Sequence, residues 1–404
     1  MIFHSLLFGL AVLFTFICYR INKQAIVSSY FYIYYFLFAM ASSIVIEGGA
    51  YMLEIERYGS PNGASIMIFG FFVAGLFFIV LGYSAHGLIF RYPVFNVRYG
   101  LRLEITVSYF FLLFSFGLAV FIFLRYSSPL LLGIERFEFW EKIVSPGLSV
   151  AKSLITQAFF FVPILLVVAR KRLTFAVAAI AWALITVLVL GEKFTAFQYY
   201  LTIGGLFVAA LFQQGRIKRL PVISFIVVAI CLMILVAFVY EKSGYSFSFI
   251  KDRVALQSQL TWLVLQDNVV LDGFNGASGE LDQIALSTER YNNYAALGIG
   301  LTGYNPAIQL SVFGWVLAFL MHCAVCFFVG FAQSEVVKLI SFGAVIHGFV
   351  VFKLYIALLY FWMTANPEHL FGFVNVLCFA ILLVGLFVKL SLRADPDVGQ
   401  RITR

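Results

Sequence analysis

Residues 64–85 read ASIMIFGFFVAGLFFIVLGYSA, without one charged side chain. A helix rises about 1.5 Å per residue, so this run covers the ~30 Å hydrocarbon core of a bilayer. Apolar runs of similar length recur at 2–19, 26–46, 104–124, 153–169, 173–190, 196–213, 221–240, 306–331, 337–361 and 370–390. The spacing predicts an all-α, polytopic integral membrane protein with about eleven transmembrane helices, forming a single transmembrane domain over 1–404. Composition points the same way. Of the 404 residues, 63% are hydrophobic and 11% charged, where soluble domains carry about 25% charge. So little polar surface excludes a soluble fold. Residues 1–19 lack a basic start and a small-residue cleavage site, so the first run reads as a retained span rather than a signal peptide.

Charge orients the bundle. With the N-terminus outside, fifteen Lys and Arg fall on short internal segments and ten lie outside, whereas fifteen acidic residues lie outside and four inside. Cytoplasmic loops carry the excess of Lys and Arg, which places the C-terminus in the cytoplasm. The net charge of +8 then reads as topology and as contact with anionic membrane lipids. Nothing else suggests nucleic acid. Neither a phosphate-cradling G-x-x-x-x-G-K-[ST] loop nor a dinucleotide fingerprint is present, so the sequence calls for no cofactor. Nor does it call for a metal: the five cysteines sit in apolar stretches, and Cys323 and Cys326 beside His322 read as small buried helix residues. Mid-span carboxylates and an internal repeat are both lacking, which weighs against an ion-coupled carrier.

The alternation leaves two substantial external segments. The first, 125–152, contains RYSSPLLLGIERFEFWEKIVSPG from Arg125 to Gly147. Pro129 and Pro146 bracket apolar and charged residues that read as an interfacial helix, with Trp140 at headgroup level. Arg136 is there as either an anchor or a phosphate contact. Lys193 follows Glu192 in a short external turn, either paired with it or offering charge to a substrate head. The second segment, 241–305, is a large external loop between spans 8 and 9. It carries Asp252, Arg253 and Trp262, the last a saccharide-stacking ring or an interface anchor. Glu280 and Asp282 follow in a glycine-rich acidic stretch, then Glu289, Arg290, Tyr291 and Tyr294. Aromatic faces mixed with amides and charges suit carbohydrate, since hydroxyls take hydrogen bonds while rings pack on C–H surfaces.

Many spans, a basic internal face and arginines in two unequal external segments together resemble the Wzy-type O-antigen and exopolysaccharide repeat-unit polymerases, which are related to O-antigen ligases. Some members carry an arginine and a glycine separated by ten residues in external loops. Arg136 and Gly147 fit that spacing; Arg253 and Arg290 do not repeat it. The resemblance implies a glycosyltransferase of the bacterial inner membrane, with periplasmic large loops, serving lipopolysaccharide or related polysaccharide biosynthesis. Its substrate would be a lipid-linked oligosaccharide carried on undecaprenyl pyrophosphate, and a chain-length regulator protein would be a partner. Arg253 and Arg290, then Arg136 and Lys193, would hold the pyrophosphate. Asp252, Glu280, Asp282 or Glu289 would act as base toward the acceptor hydroxyl. Trp262, Tyr291 and Tyr294 would contact sugar. The alternatives are an O-antigen ligase, a transporter or flippase of lipid-linked sugars, and a membrane scaffold.

Overall fold

The computed structural model describes residues 2–95, 101–134, 136–144, 148–191, 195–217, 256–273, 276–296, 300–301, 305–364 and 375–383. The predicted span 221–240 and the loop residues 241–255 lie outside them.

The chain begins with α1 (Ile2–Ile21), α2 (Lys23–Ser28) and α3 (Tyr30–Glu47). A short hairpin of β1 (Tyr51–Met52) and β2 (Arg57–Tyr58) leads to α4 (Ala64–Ile89) and α5 (Leu101–Tyr126). After α6 (Pro129–Leu132), α7 (Arg136–Glu138) and a π-helical turn (Phe139–Ile143) come α8 (Ser149–Ala158) and α9 (Ile164–Val167). Next are α10 (Arg172–Leu188) and α11 (Thr195–Gln213). The remaining elements are α12 (Gln259–Asp267), α13 (Ala277–Ala285), α14 (Thr288–Ala296), α15 (Ala307–Ser341) and α16 (Val345–Thr364).

The protein is helical and built for a membrane. Among the described residues, six helices are long and apolar enough to cross one: Tyr30–Glu47, Ala64–Ile89, Arg102–Leu132, Val150–Val167, Ala307–Ser341 and Val345–Trp362. Leu6–Ile21, Arg172–Leu188 and Tyr199–Gln213 are apolar but shorter. The count of eleven spans is not confirmed among the described residues. The all-α expectation also needs one amendment, the antiparallel hairpin, in which Tyr51 pairs Tyr58 and Met52 pairs Arg57.

The centre of the molecule is a seam between α4 and α15, which run parallel. Gly75 lies against His322, Ile79 against Gly330, and Gly82 against Phe327. A Cβ at Gly82 would strike the Phe327 carbonyl, and one at Gly330 would strike that of Ile79. Lipid chains are as apolar as leucine, so helices in a bilayer associate through such backbone approach rather than through a hydrophobic driving force. α15 is broken at Gly314, whose φ of 68° and ψ of 176° divide it into 307–313 and 315–341. Few residues other than glycine tolerate that backbone.

Two local expectations are corrected. Among the described residues of 125–152, the helix expected between Pro129 and Pro146 is broken into short pieces. Gly133, at φ 67°, ends α6, and Trp140 is buried with its indole N–H donating to Leu190 O at 3.2 Å. The polar residues between spans nine and ten form no loop, because α15 continues to Ser341 and the turn is 342–344. Gln333, Ser334, Glu335 and Lys338 stay helical and buried because each finds a partner there. Gln333 accepts from Ser28 Oγ (3.2 Å) and Ser29 Oγ (3.0 Å) and donates to Ser28 O, stitching the break between α2 and α3. Freed backbone groups at membrane depth need such satisfaction.

Candidate functional site

The described part of the large loop is a cap. Helices α12, α13 and α14 close over the end of the seam where α4 and α15 begin. α12 is buried along most of its length: Ser258, Gln259, Leu260, Thr261, Trp262, Leu263 and Val264 are all inside. It enters the bundle beside α3, where Ser258 Oγ donates to Ala39 O at 2.5 Å and Ser42 Oγ accepts from Ser258 N at 3.1 Å.

Most of the polar links tie the cap to the hairpin and the loop after it. Trp262 Nε1 donates to Ser60 O at 2.8 Å, and Asn62 Nδ2 donates to Trp262 O at 2.9 Å. Arg57 pairs with Asp267 at 2.6 Å, and Arg290 with Glu56 at 2.8 Å. Arg290 also donates to the carbonyls of Leu53 and Glu54, and Gln259 Nε2 to the Glu54 carboxylate. Below them, Glu47 Oε1 accepts from Gly63 N at 2.7 Å. A carboxylate there satisfies an orphan N–H at the start of α4 and complements the helix dipole.

The predicted residues separate into groups. Arg290 faces the hairpin, already engaged by Glu56. Glu289, Tyr291 and Tyr294 share its helix, α14; Glu289 is exposed, and the two tyrosines are half-buried against the core. On α13, Glu280 is exposed, whereas Asp282 is buried and accepts from Leu301 N at 3.4 Å. Trp262 is only 3% exposed, which makes it an anchor of the cap rather than an open stacking surface. Arg136 is half-buried near Gly191, three residues before Phe139 of a second, smaller packing cluster that is separate from the cluster holding the cap. Lys193, Asp252 and Arg253 lie outside the described residues.

Glu54, Glu56, Arg57 and Asp267 carry no functional expectation in the sequence. The turn residues Pro61-Asn62-Gly63 after the hairpin were the available signal, being strong punctuation. The buried polar residues of α15 include His322. His322 accepts on Nδ1 from Trp362 Nε1 at 3.0 Å, and its Nε2 faces Phe71 O (3.0 Å) and Tyr32 OH (3.1 Å). The indole N–H can only donate, so the ring proton sits on Nε2.

Beside this knot lies an apolar cleft of about 370 Å³ lined by Met67, Gly70, Phe71, Trp315, Val316, Phe319 and Leu320. It begins one turn into α4 and flanks the break at Gly314. Trp315, Val316 and Leu320 are exposed, so the cleft opens sideways from the bundle. No known protein family, curated protein or solved structure matches the chain.

Proposed function

We propose that this chain is a membrane-embedded glycosyltransferase that polymerises oligosaccharide repeat units carried on undecaprenyl pyrophosphate, at the periplasmic face of a bacterial inner membrane. The observation that supports this reading most is the side-opening apolar cleft beneath a cap of mixed charge and aromatic character. Such a pairing suits a substrate with a long hydrocarbon tail and a polar glycan head. The tail lies along that cleft, on the outward side of α4 and α15. The head meets the cap and hairpin.

In this scheme the growing chain is the donor, and a hydroxyl of a newly arrived unit attacks its anomeric carbon while pyrophosphate leaves. Arg290 is the described cation for that leaving group, and the exposed Glu280 and Glu289 are the described carboxylates available to take the hydroxyl proton. Substrate phosphate must displace Glu56 from Arg290, a small cost for a pair this exposed. Arg253, Lys193 and Asp252 complete the proposed set, with eleven spans and a cytoplasmic C-terminus as the proposed topology.

The test is the glycan ladder made in cells by Arg290→Ala and Arg253→Ala, with protein level in the membrane measured alongside. Collapse to single repeat units at normal protein level is expected, while Arg290→Lys retains part of the ladder. Full ladders in both alanine variants overturn the assignment.

Translocation of lipid-linked sugars is a second reading, favoured by one observation. Gln309, His322, Gln333, Ser334, Glu335 and Lys338 are buried polar residues spaced along α15, a feature carriers also use. Flipping of a fluorescent lipid-linked sugar by the purified protein in vesicles, without glycan elongation, would favour it over polymerisation.

A further inference from the structure

The hairpin between α3 and α4 has two unlike faces. Met52 and Ile55 point into the core, 0% and 5% exposed. Tyr51 and Tyr58, directly paired across the two strands, stand on the outside with 41% and 73% of their surface free. Their ring centroids are 4.8 Å apart, with the planes tilted by 54°. Two large rings held in the open are costly unless something covers them, and here they are held firmly. Arg290 grips the Leu53 and Glu54 carbonyls and the Glu56 carboxylate, Arg57 is pinned by Asp267, and Gly59 leaves no room for a Cβ beside Ile46 O.

We propose that the Tyr51–Tyr58 face is a saccharide-binding platform, a subsite for the glycan head that rests on the polymerase reading above. The surroundings select the ligand class. Around the rings, Arg57 pairs with Asp267, Glu56 with Arg290 and the Glu54 carboxylate with the Gln259 amide, so the hairpin offers hydrogen-bond donors and acceptors together. A lipid chain wants none of these ionic neighbours. A sugar ring has an apolar C–H face for the aromatic rings and hydroxyls that both donate and accept. Rigid rings lose little conformational freedom on binding, which favours affinity.

The full-length protein in lipid nanodiscs tests the platform. The probe is the oligosaccharide released by mild acid from the lipid-linked pool of cells that make this protein, with binding measured by calorimetry. Tyr58→Ala should weaken binding by about tenfold, the order expected for truncating a central aromatic contact. Tyr51→Ala/Tyr58→Ala should abolish it, and Tyr58→Trp should preserve it. Equal affinity of the wild type and the double variant overturns the platform and leaves the polymerase reading standing. No binding by the wild type counts against both. Tyr58→Trp supplies a second readout. If brominated lipids quench the fluorescence added by that indole and oligosaccharide does not relieve it, the rings belong to the headgroup layer and the proposal fails. Relief of quenching by the oligosaccharide supports it.

Discussion

The two ends of the α4–α15 seam are fastened by different chemistry. At the cap end the ion pairs between cap and hairpin are open to water: Arg57–Asp267 at 48% and 35% side-chain exposure, Arg290–Glu56 at 36% and 51%. At the opposite end the links are buried. His86 Nε2 lies 2.9 Å from Glu335 Oε2, a close polar contact rather than an aligned hydrogen bond. His86 Nδ1 meets Ser334 Oγ at 2.9 Å, and Glu335 Oε1 accepts from Phe95 N at 2.9 Å. Lys338 donates to the carbonyls of His86 and Phe90. Glu104 Oε2 accepts from Ile346 N at 2.8 Å, satisfying the start of α16. Exposed ion pairs are worth little because water and salt compete with them. Breaking a buried set strands charge in a low dielectric. One end is thus held by buried contacts, whereas the ion pairs between hairpin and cap at the other stand open to water.

The sharpest way to break the comparison is at the buried end. Glu335→Ala removes the acceptor for Phe95 N and leaves Lys338 without its nearby carboxylate. The expected loss is about 3–5 kcal/mol of stability, the range for breaking a buried charged pair. Glu335→Gln should lose less, since its amide oxygen still accepts from Phe95 N. Denaturant unfolding of the detergent-solubilised protein measures both. A loss under about 1 kcal/mol for the alanine variant would mean the two ends do not differ in kind.

Trp262→Ala comes next. Deleting so large a buried ring costs about 3 kcal/mol or more, but here the loss should stay local. Hydrogen exchange is expected to rise across 256–296, where α12 to α14 lie, while α4 and α15 keep their protection. Uniform loss of protection over the whole protein would show that cap and spans unfold together.

The contrast itself was only half legible in the sequence. Apolar runs are a property of neighbouring residues, so α4, α5, α15 and α16 could be read directly. What a polar residue does depends on partners far along the chain. Glu335 and Gln333 look like loop residues until His86, Ser28 and Ser29 are placed beside them, and α15 then continues past its predicted end. The hairpin has two-residue strands, too short for alternation to show. Arg290 was visible as a rare external cation. Its carboxylate partner Glu56 lies in a segment that carried no expectation. Trp262 was left open between platform and anchor because composition cannot tell an exposed ring from a buried one.

Arg290→Ala tests the cap from the polar side. It removes two carbonyl contacts and one exposed ion pair, so about 1 kcal/mol of local stability is expected to go, far less than for Trp262. Exchange should increase in the hairpin residues 51–58 and in α14, with α12 still held by its buried face. If α12 exchanges as fast as α14, the arginine rather than the tryptophan carries the cap.

The smallest effect belongs to Arg57→Ala. Its partner Asp267 ends α12, and both side chains reach water, so the pair contributes at most about 1 kcal/mol. Its signature is salt dependence. At about 1 M salt the Debye length shrinks to about 3 Å, and the wild-type cap should then exchange at nearly the rate of Arg57→Ala in dilute buffer. The buried end should be indifferent to the same salt, because no counter-ion reaches Glu335 or Lys338. Arg57→Ala/Asp267→Ala should behave like either single variant, since the pair has only one interaction to lose. A strong salt response at both ends would place Glu335 in contact with water and remove the reason for treating the two ends differently.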